Sequence, residues 1–242
     1  RTTRDKIHCK YVNETSTNGF KCFYTNADQL RNKIDELRIH AANSKPDIIF
    51  ITEVKPKRAS FNLSQPEISL KGYNLFVNGL TTGDGNRGCA IYTKENILAE
   101  QITFDDFQVT DSVWLEVKLI NADKLLAGCI YRSPNANENY NNDLNKLLVH
   151  TSGLGYSHHL VCGDFNFKEI NWTTWSTKAK EDDPTSKFLE AARDSYLFQH
   201  VQEPTRIRHD HEPSVLDLVF TNEEGMVDSL EVKSPLGASD HG

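Results

Sequence analysis

Residues 160–166 read Leu-Val-Cys-Gly-Asp-Phe-Asn, and no other stretch limits the fold as much. An apolar run enters Gly163 and halts at an acid, an aromatic ring and a carboxamide. The pattern predicts a buried strand whose C-terminal end presents Asp164 and Asn166. Two positions apart, their side chains point to the same side of a strand. A sheet fixes its backbone while side chains at the strand end reach outward, so α/β folds place chemistry there. The same letters fit a strand that ends in an Asx turn, and the other strand ends must decide between the two.

Read in order, the chain offers more such ends. Lys21 to Thr25 predicts a strand running into Asn26-Ala27-Asp28, and Leu30, Ile34, Leu37 and Ala41 then recur at helical spacing. Pro46 closes that helix, and the apolar strand Ile48 to Ile51 ends at Thr52-Glu53. A loop follows from Val54 to Gly72, with Lys55, Lys57 and Arg58 as a basic cluster fit either for solvent or for phosphate. Further strands are expected at Tyr73–Asn78, Cys89–Thr93, Ile97–Ile102, Val113–Ile120, Leu125–Tyr131, Val215–Thr221 and Met226–Val232. Helices are expected over Asn141–His150 and from near Pro184. Gly83 to Gly88 matches G-x-G-x-x-G, but a strand follows it where a dinucleotide loop would open a helix, so it reads as a hairpin loop. Trp172 and Trp175 fit a core edge slightly better than a stacking platform for bases.

The chain has 242 residues, 38% hydrophobic, with no linker and no internal repeat, which predicts one domain over residues 20–242 after a flexible arm over residues 1–19. Strands and helices mixed with adjacent hairpins predict two packed mixed β-sheets with helices outside. No run of 18 apolar residues is present, so no membrane-spanning helix is expected. The chain starts at Arg1 without an apolar leader and reads as a fragment or trimmed product. A net charge of −7 argues against a purely electrostatic nucleic-acid coat protein. Five cysteines without a CxxC pair read as reduced core thiols of an intracellular protein. The glycosylation triplets at Asn13, Asn62 and Asn171 are set aside on that ground.

Strand ends and short loops thus carry Asn26, Asp28, Glu53, Tyr131, Asp164, Asn166, Asp217, Asp240 and His241. Hard oxygen ligands without cysteine or clustered histidine suit Mg²⁺ or Mn²⁺ and exclude a structural zinc site.

In this order the residues resemble the endonuclease/exonuclease/phosphatase superfamily. The motifs are Asn26-Ala27-Asp28, Glu53 after its strand, Tyr131, Gly163-Asp164-Phe165-Asn166, Ser214-x-x-Asp217 and Ser239-Asp240-His241. Tyr24 to Asp28, Tyr131-Arg132-Ser133-Pro134 and Glu203-Pro204-Thr205-Arg206 resemble the apurinic-type endonuclease domains of non-LTR retrotransposons. The resemblance implies an α/β four-layer sandwich and a Mg²⁺-dependent enzyme (Mn²⁺ as substitute) that nicks DNA inside the nucleus, with a reverse transcriptase domain downstream. It implies that Glu53 holds the metal with Asn26, Asp28 and Asp240. Asp164 would activate water, Asn166 would fix its position, and Tyr131 would contact the phosphate. His241 would stabilise the charged phosphate oxygen, oriented by Asp217. Thr205, Asn135, Arg132 and Lys55 would contact substrate. Relatives continue into a final strand where this chain ends at Gly242, so an open sheet edge and a mobile His241 are expected. Two other readings stand beside this one. One is a phosphomonoesterase or phospholipid phosphodiesterase on the same scaffold; the other is an inactive remnant acting as a binding module.

Overall fold

The computed structural model describes residues 7–9, 19–56, 62–81, 85–206, 213–234 and 236–237. In chain order the strands are β1 (Ile7–Cys9), β2 (Phe20–Asn26), β3 (Ile48–Thr52), β4 (Tyr73–Asn78), β5 (Cys89–Lys94), β6 (Ala99–Ile102), β7 (Ser112–Lys118), β8 (Lys124–Tyr131), β9 (His158–Asp164), β10 (Ile170–Asn171), β11 (Ser176–Thr177), β12 (Phe198–Gln199) and β13 (Asp217–Thr221). The helices are α1 (Ile34–Ser44), α2 (Gln65–Ile68), α3 (Glu138–Ser152) and α4 (Pro184–Asp194). Among the described residues they build a five-stranded sheet in the order β1-β2-β3-β5-β4 and a six-stranded sheet in the order β12-β13-β9-β8-β7-β6. Each sheet holds one parallel pair, β2 with β3 and β8 with β9, and every other pairing is antiparallel. Two mixed sheets flanked by helices are the architecture expected from the sequence.

The alternation of side chains along each strand creates three cores. Ile48 and Phe50 of β3 face the opposing sheet and meet Leu115, Ala127 and Leu160. Ile49 and Ile51 face outward onto Ile34, Leu37 and Ala41 of α1. Leu126, Ile130, Val161 and Phe220 of the second sheet face α3 and α4 through Leu144, Leu148, Phe188 and Ala192. A strand buried on both faces needs an unbroken apolar run, and β-branched residues suit its pleat. Each large side chain so buried stabilises the fold by about 1.5–3 kcal/mol. Cys22, Cys89, Cys129 and Cys162 are buried free thiols, and all four lie in the core between the sheets.

Local signals fix the helix ends. Asn137 accepts from the Tyr140 amide at 2.9 Å and starts α3 earlier than the apolar periodicity alone suggests. Asp183 accepts from the Thr185 amide at 2.7 Å, and Pro184 takes the first turn of α4. Lys45 ends α1 in a left-handed conformation one residue before Pro46.

Three expectations change. Ile7–Cys9, within the stretch read as a flexible arm, pairs antiparallel with Phe20–Cys22; an otherwise open sheet edge supplies the ladder. Residues 226–232 form no strand. They follow a short 3₁₀ turn and lay Val227, Leu230 and Val232 on the inter-sheet core as a covering segment beside Cys22 to Thr25. Strand β13 begins at Asp217, because Leu216 gives its carbonyl to Phe165 outside the ladder. The glycine-rich stretch before β5 does join an antiparallel hairpin, with Asn78 opposite Cys89. Among the described residues no helix is long and apolar enough to cross a membrane.

Gly163 explains itself at the β8–β9 contact. A Cβ there would lie 2.0 Å from the Ile130 carbonyl oxygen, so the strands could not keep their spacing. Gly163→Ala is expected to cost about 3 kcal/mol, as for an overpacked core position. A fall in the urea midpoint at unchanged slope checks it.

Candidate active site

Parallel pairing in both sheets sends the C-terminal ends of β2, β3, β8 and β9 to the same edge of the molecule. At that edge Asn26 pairs with Thr52 in one sheet and Tyr131 with Asp164 in the other. Because β13 runs antiparallel to β9, its first residue, Asp217, lies opposite Asp164. Residues distant in sequence therefore meet. The Asn26 amide donates from Nδ2 to Asp164 Oδ2 at 2.9 Å across 138 positions and ties the two sheets together. Its Oδ1 accepts the Asp28 amide at 3.1 Å.

Tyr24 supplies a second tie. Its hydroxyl donates to Asp217 Oδ1 at 2.6 Å and lies 3.0 Å from Thr52 Oγ1. Burial first, then the charges of Asp217 and Asp164, push the Tyr24 hydroxyl well above its ordinary value. It stays a neutral donor. Tyr131 behaves alike: burial first, then Glu53 and Asp164, raise its hydroxyl, while Arg87 opposes the shift.

Three of these positions sit in the left-handed backbone region: Asp28 at φ 37°, Glu53 at φ 54° and Asn166 at φ 53°. Such strain costs about 1–3 kcal/mol per residue and collects where side chains must be aimed. Here it turns the chain outward immediately past β2, β3 and β9.

The remaining sequence-predicted residues take up varied places. Arg132 is buried: its Nε donates to Asn141 Oδ1 at 2.7 Å and its guanidinium lies 3.9 Å over the Phe167 ring. Its carbonyl accepts from Asn166 Nδ2 at 2.9 Å, so it shapes the loop after β9. Thr205 is buried, and its Oγ1 accepts the Leu216 and Asp217 amides, each at 3.1 Å. Lys55 is buried, with Nζ donating to the Thr81 carbonyl. Asn135 is exposed in the turn after Tyr131. Asp240 and His241, with Lys57 and Arg58 of the basic cluster, lie outside the described residues.

Sequence reasoning missed Arg87. Its Nη2 donates to Asp28 Oδ1 at 2.8 Å and pairs with Glu53 Oε2. Among the described residues no cluster of three or more His, Cys, Asp or Glu side chains is gathered to hold a metal. The candidate set is the two carboxylates of Glu53 and Asp28 with the Asn26 amide oxygen. Arg87 shows that two of these already serve a cation, and hard oxygen donors fit Mg²⁺ or Mn²⁺.

Residues 125–242, just under half of the chain, match the family model described as "Endonuclease-reverse transcriptase". No curated protein sequence matches the chain. Among solved structures it is similar to the endonuclease domain of TRAS1, a telomere-specific non-LTR retrotransposon, at 22% identity and a TM-score of 0.64, covering 90% of this chain and 93% of that one. The Xenopus laevis APE2 catalytic domain follows at 15% identity and a TM-score of 0.62, covering 90% and 88%. An AP endonuclease from Archaeoglobus fulgidus shares 14% identity at a TM-score of 0.53, covering 83% and 85%. At these identities the likeness is one of fold. The family match adds a sequence likeness over the second part of the chain, from β8 onward.

The neutral Tyr24 donor has a measurable consequence. Tyrosines whose folded pKa is raised contribute stability that is fully present below their ordinary value near 10 and is lost as pH rises through the folded value. Tyr24→Phe is expected to cost about 1–3 kcal/mol at neutral pH, the penalty for removing a donor from a buried acceptor. It should also make the alkaline loss of stability shallower in urea titrations between about pH 8 and pH 11.

Proposed function

We propose that this domain is a divalent-metal-dependent endonuclease that hydrolyses DNA phosphodiester bonds, and that it nicks target DNA for a retrotransposon. The observation that supports this most is the Asn26–Asp164 hydrogen bond, which joins the carboxylate end of β9 to the polar end of β2 beside Glu53 and Tyr131. The TRAS1 likeness and the words of the family description point toward a chain that also carries a reverse transcriptase. The nucleus is where such a nick would be made.

The chemistry assigned to the residues is as follows. Glu53, Asp28 and Asn26, joined by Asp240, would hold the metal, which when bound offsets charge on the scissile phosphate and the leaving oxygen. Asp164 orients the attacking water and accepts its proton. The Asn26 donor on Oδ2 fixes the orientation of the Asp164 carboxylate for that task. Tyr131, kept protonated by burial and two neighbouring acids, donates to a phosphate oxygen. Asn166, anchored on the Arg132 carbonyl, fixes the far side of the water. His241 would stabilise the charged phosphate oxygen, with Asp217 setting its tautomer. Asp217 is held for that role by Tyr24 on its carboxylate and by Thr205 on its backbone amide.

Incubation with supercoiled plasmid, an abasic duplex and a soluble inositol phosphate, each with Mg²⁺ or EDTA, tests the assignment. Nicked plasmid with Mg²⁺ and none with EDTA is expected, with no phosphate released from the inositol substrate. Asp164→Ala and His241→Ala should each lower nicking by about 10²–10⁴-fold, the usual loss for an acid–base group, while DNA binding persists. Full turnover in both variants would remove the mechanism.

A further inference from the structure

Arg87 precedes β5 by two residues and is anchored at its base. Its backbone amide donates to Asp111 Oδ2 at 3.2 Å, and the next amide, of Gly88, donates to Asp111 Oδ1 at 2.7 Å. Its carbonyl accepts the Lys55 amide at 2.7 Å, and its Nε returns the bond to the Lys55 carbonyl at 2.8 Å. Beyond that clamp the guanidinium lies 6.0 Å from the centroid of the Tyr131 ring. Only Nη2 reaches the acids, on Asp28 and on Glu53. The Arg87 and Glu53 side chains are each 12% exposed, so their attraction is screened little by water.

We propose that Arg87 is the resident counter-cation of Glu53 and Asp28, and that a divalent ion enters this site by displacing it. The inference rests on the metal-dependent reading above and adds a competitor to it. Two carboxylates forced together at positive φ repel each other unless a cation lies between them, and Arg87 supplies one. A divalent ion drawn to the same two carboxylates meets the guanidinium at contact distance, where their like charges repel. Metal affinity therefore carries the free energy of moving Nη2 away. The Lys55 carbonyl and the Tyr131 ring keep the displaced guanidinium near the site, so the exchange is local and reversible. The sequence hid this because Arg87 and Asp28 lie 59 positions apart and the loop was read for its glycines.

Mn²⁺ titration of the full chain without DNA tests the proposal, with free Mn²⁺ followed by its electron paramagnetic resonance signal. Arg87→Met keeps an apolar stem and removes the charge. It is expected to bind Mn²⁺ about tenfold more tightly than the parent, the equivalent of one decade in Kd. Its Tm should fall in EDTA and rise further on Mn²⁺ addition than the parent's Tm does. Arg87→Lys keeps a charge but loses the fork that spans Glu53 and the Lys55 carbonyl, so its affinity should lie between the two. It carries the test alone should Arg87→Met not fold. Equal or weaker Mn²⁺ binding by a folded variant overturns the displacement. If the parent binds Mn²⁺ and needs it for nicking, that result removes the Arg87 proposal and leaves the function standing. If the parent binds no Mn²⁺ and nicks in EDTA, the metal-dependent reading falls and the proposal with it.

Discussion

The contact between the two sheets is what the rest of the molecule depends on. Side chains from β2, β3 and β5 interleave with those of β7, β8 and β9, and the two parallel pairs end at one edge because of it. Each parallel pair needs a helical crossover, α1 in one sheet and α3 in the other, and right-handed crossovers leave those helices on the outer faces. The two halves of the site meet only when the sheets close. The Asn26–Asp164 and Tyr24–Asp217 hydrogen bonds are read best as the polar seal on an apolar event. They set the positions of both acids.

Electrostatics at that edge are balanced on a narrow footing. Glu53, Asp28, Asp164 and Asp217 crowd one end of the sandwich, and neutral donors carry most of the compensation. Tyr24, Tyr131 and the Asn26 amide satisfy carboxylates without adding charge. Arg87 contributes the positive charge, and Asp111 holds its backbone from behind. A neutral donor holds an acid in place and leaves the acid its charge, as proton transfer requires.

Much of this was legible in the letters. Leu160 to Asn166, Ile48 to Glu53 and Lys21 to Asp28 announced strands with polar ends because burial on both faces demands unbroken apolar runs. The helices followed from Leu37 and Leu144 at the spacing of a 3.6-residue turn. Other features were hidden for physical reasons. Ile7–Cys9 and Phe198–Gln199 are strands only because an edge offers them hydrogen bonds, and edge pairing leaves little mark on a short segment. Met226 to Val232 has the composition of a strand but forms no more than a single bridge, at Val227. Tyr24 and Asp111 act through partners in the opposite sheet, and Arg87 through acids 59 and 34 positions away. Arg132 and Thr205 look like surface contacts by type, yet burial commits them to holding backbone.

The four thiols between the sheets give the domain an internal clock. Burial, and after it the nearness of Cys129, holds the Cys89 thiol well above its ordinary pKa, so it is doubly protected from electrophiles. Cys129 and Cys162 lie on β8 and β9, the middle strands of the six-stranded sheet, and an alkylating reagent reaches them when the two layers come apart. Its rate of uptake at these two sulfurs would then time the breathing of the whole sandwich.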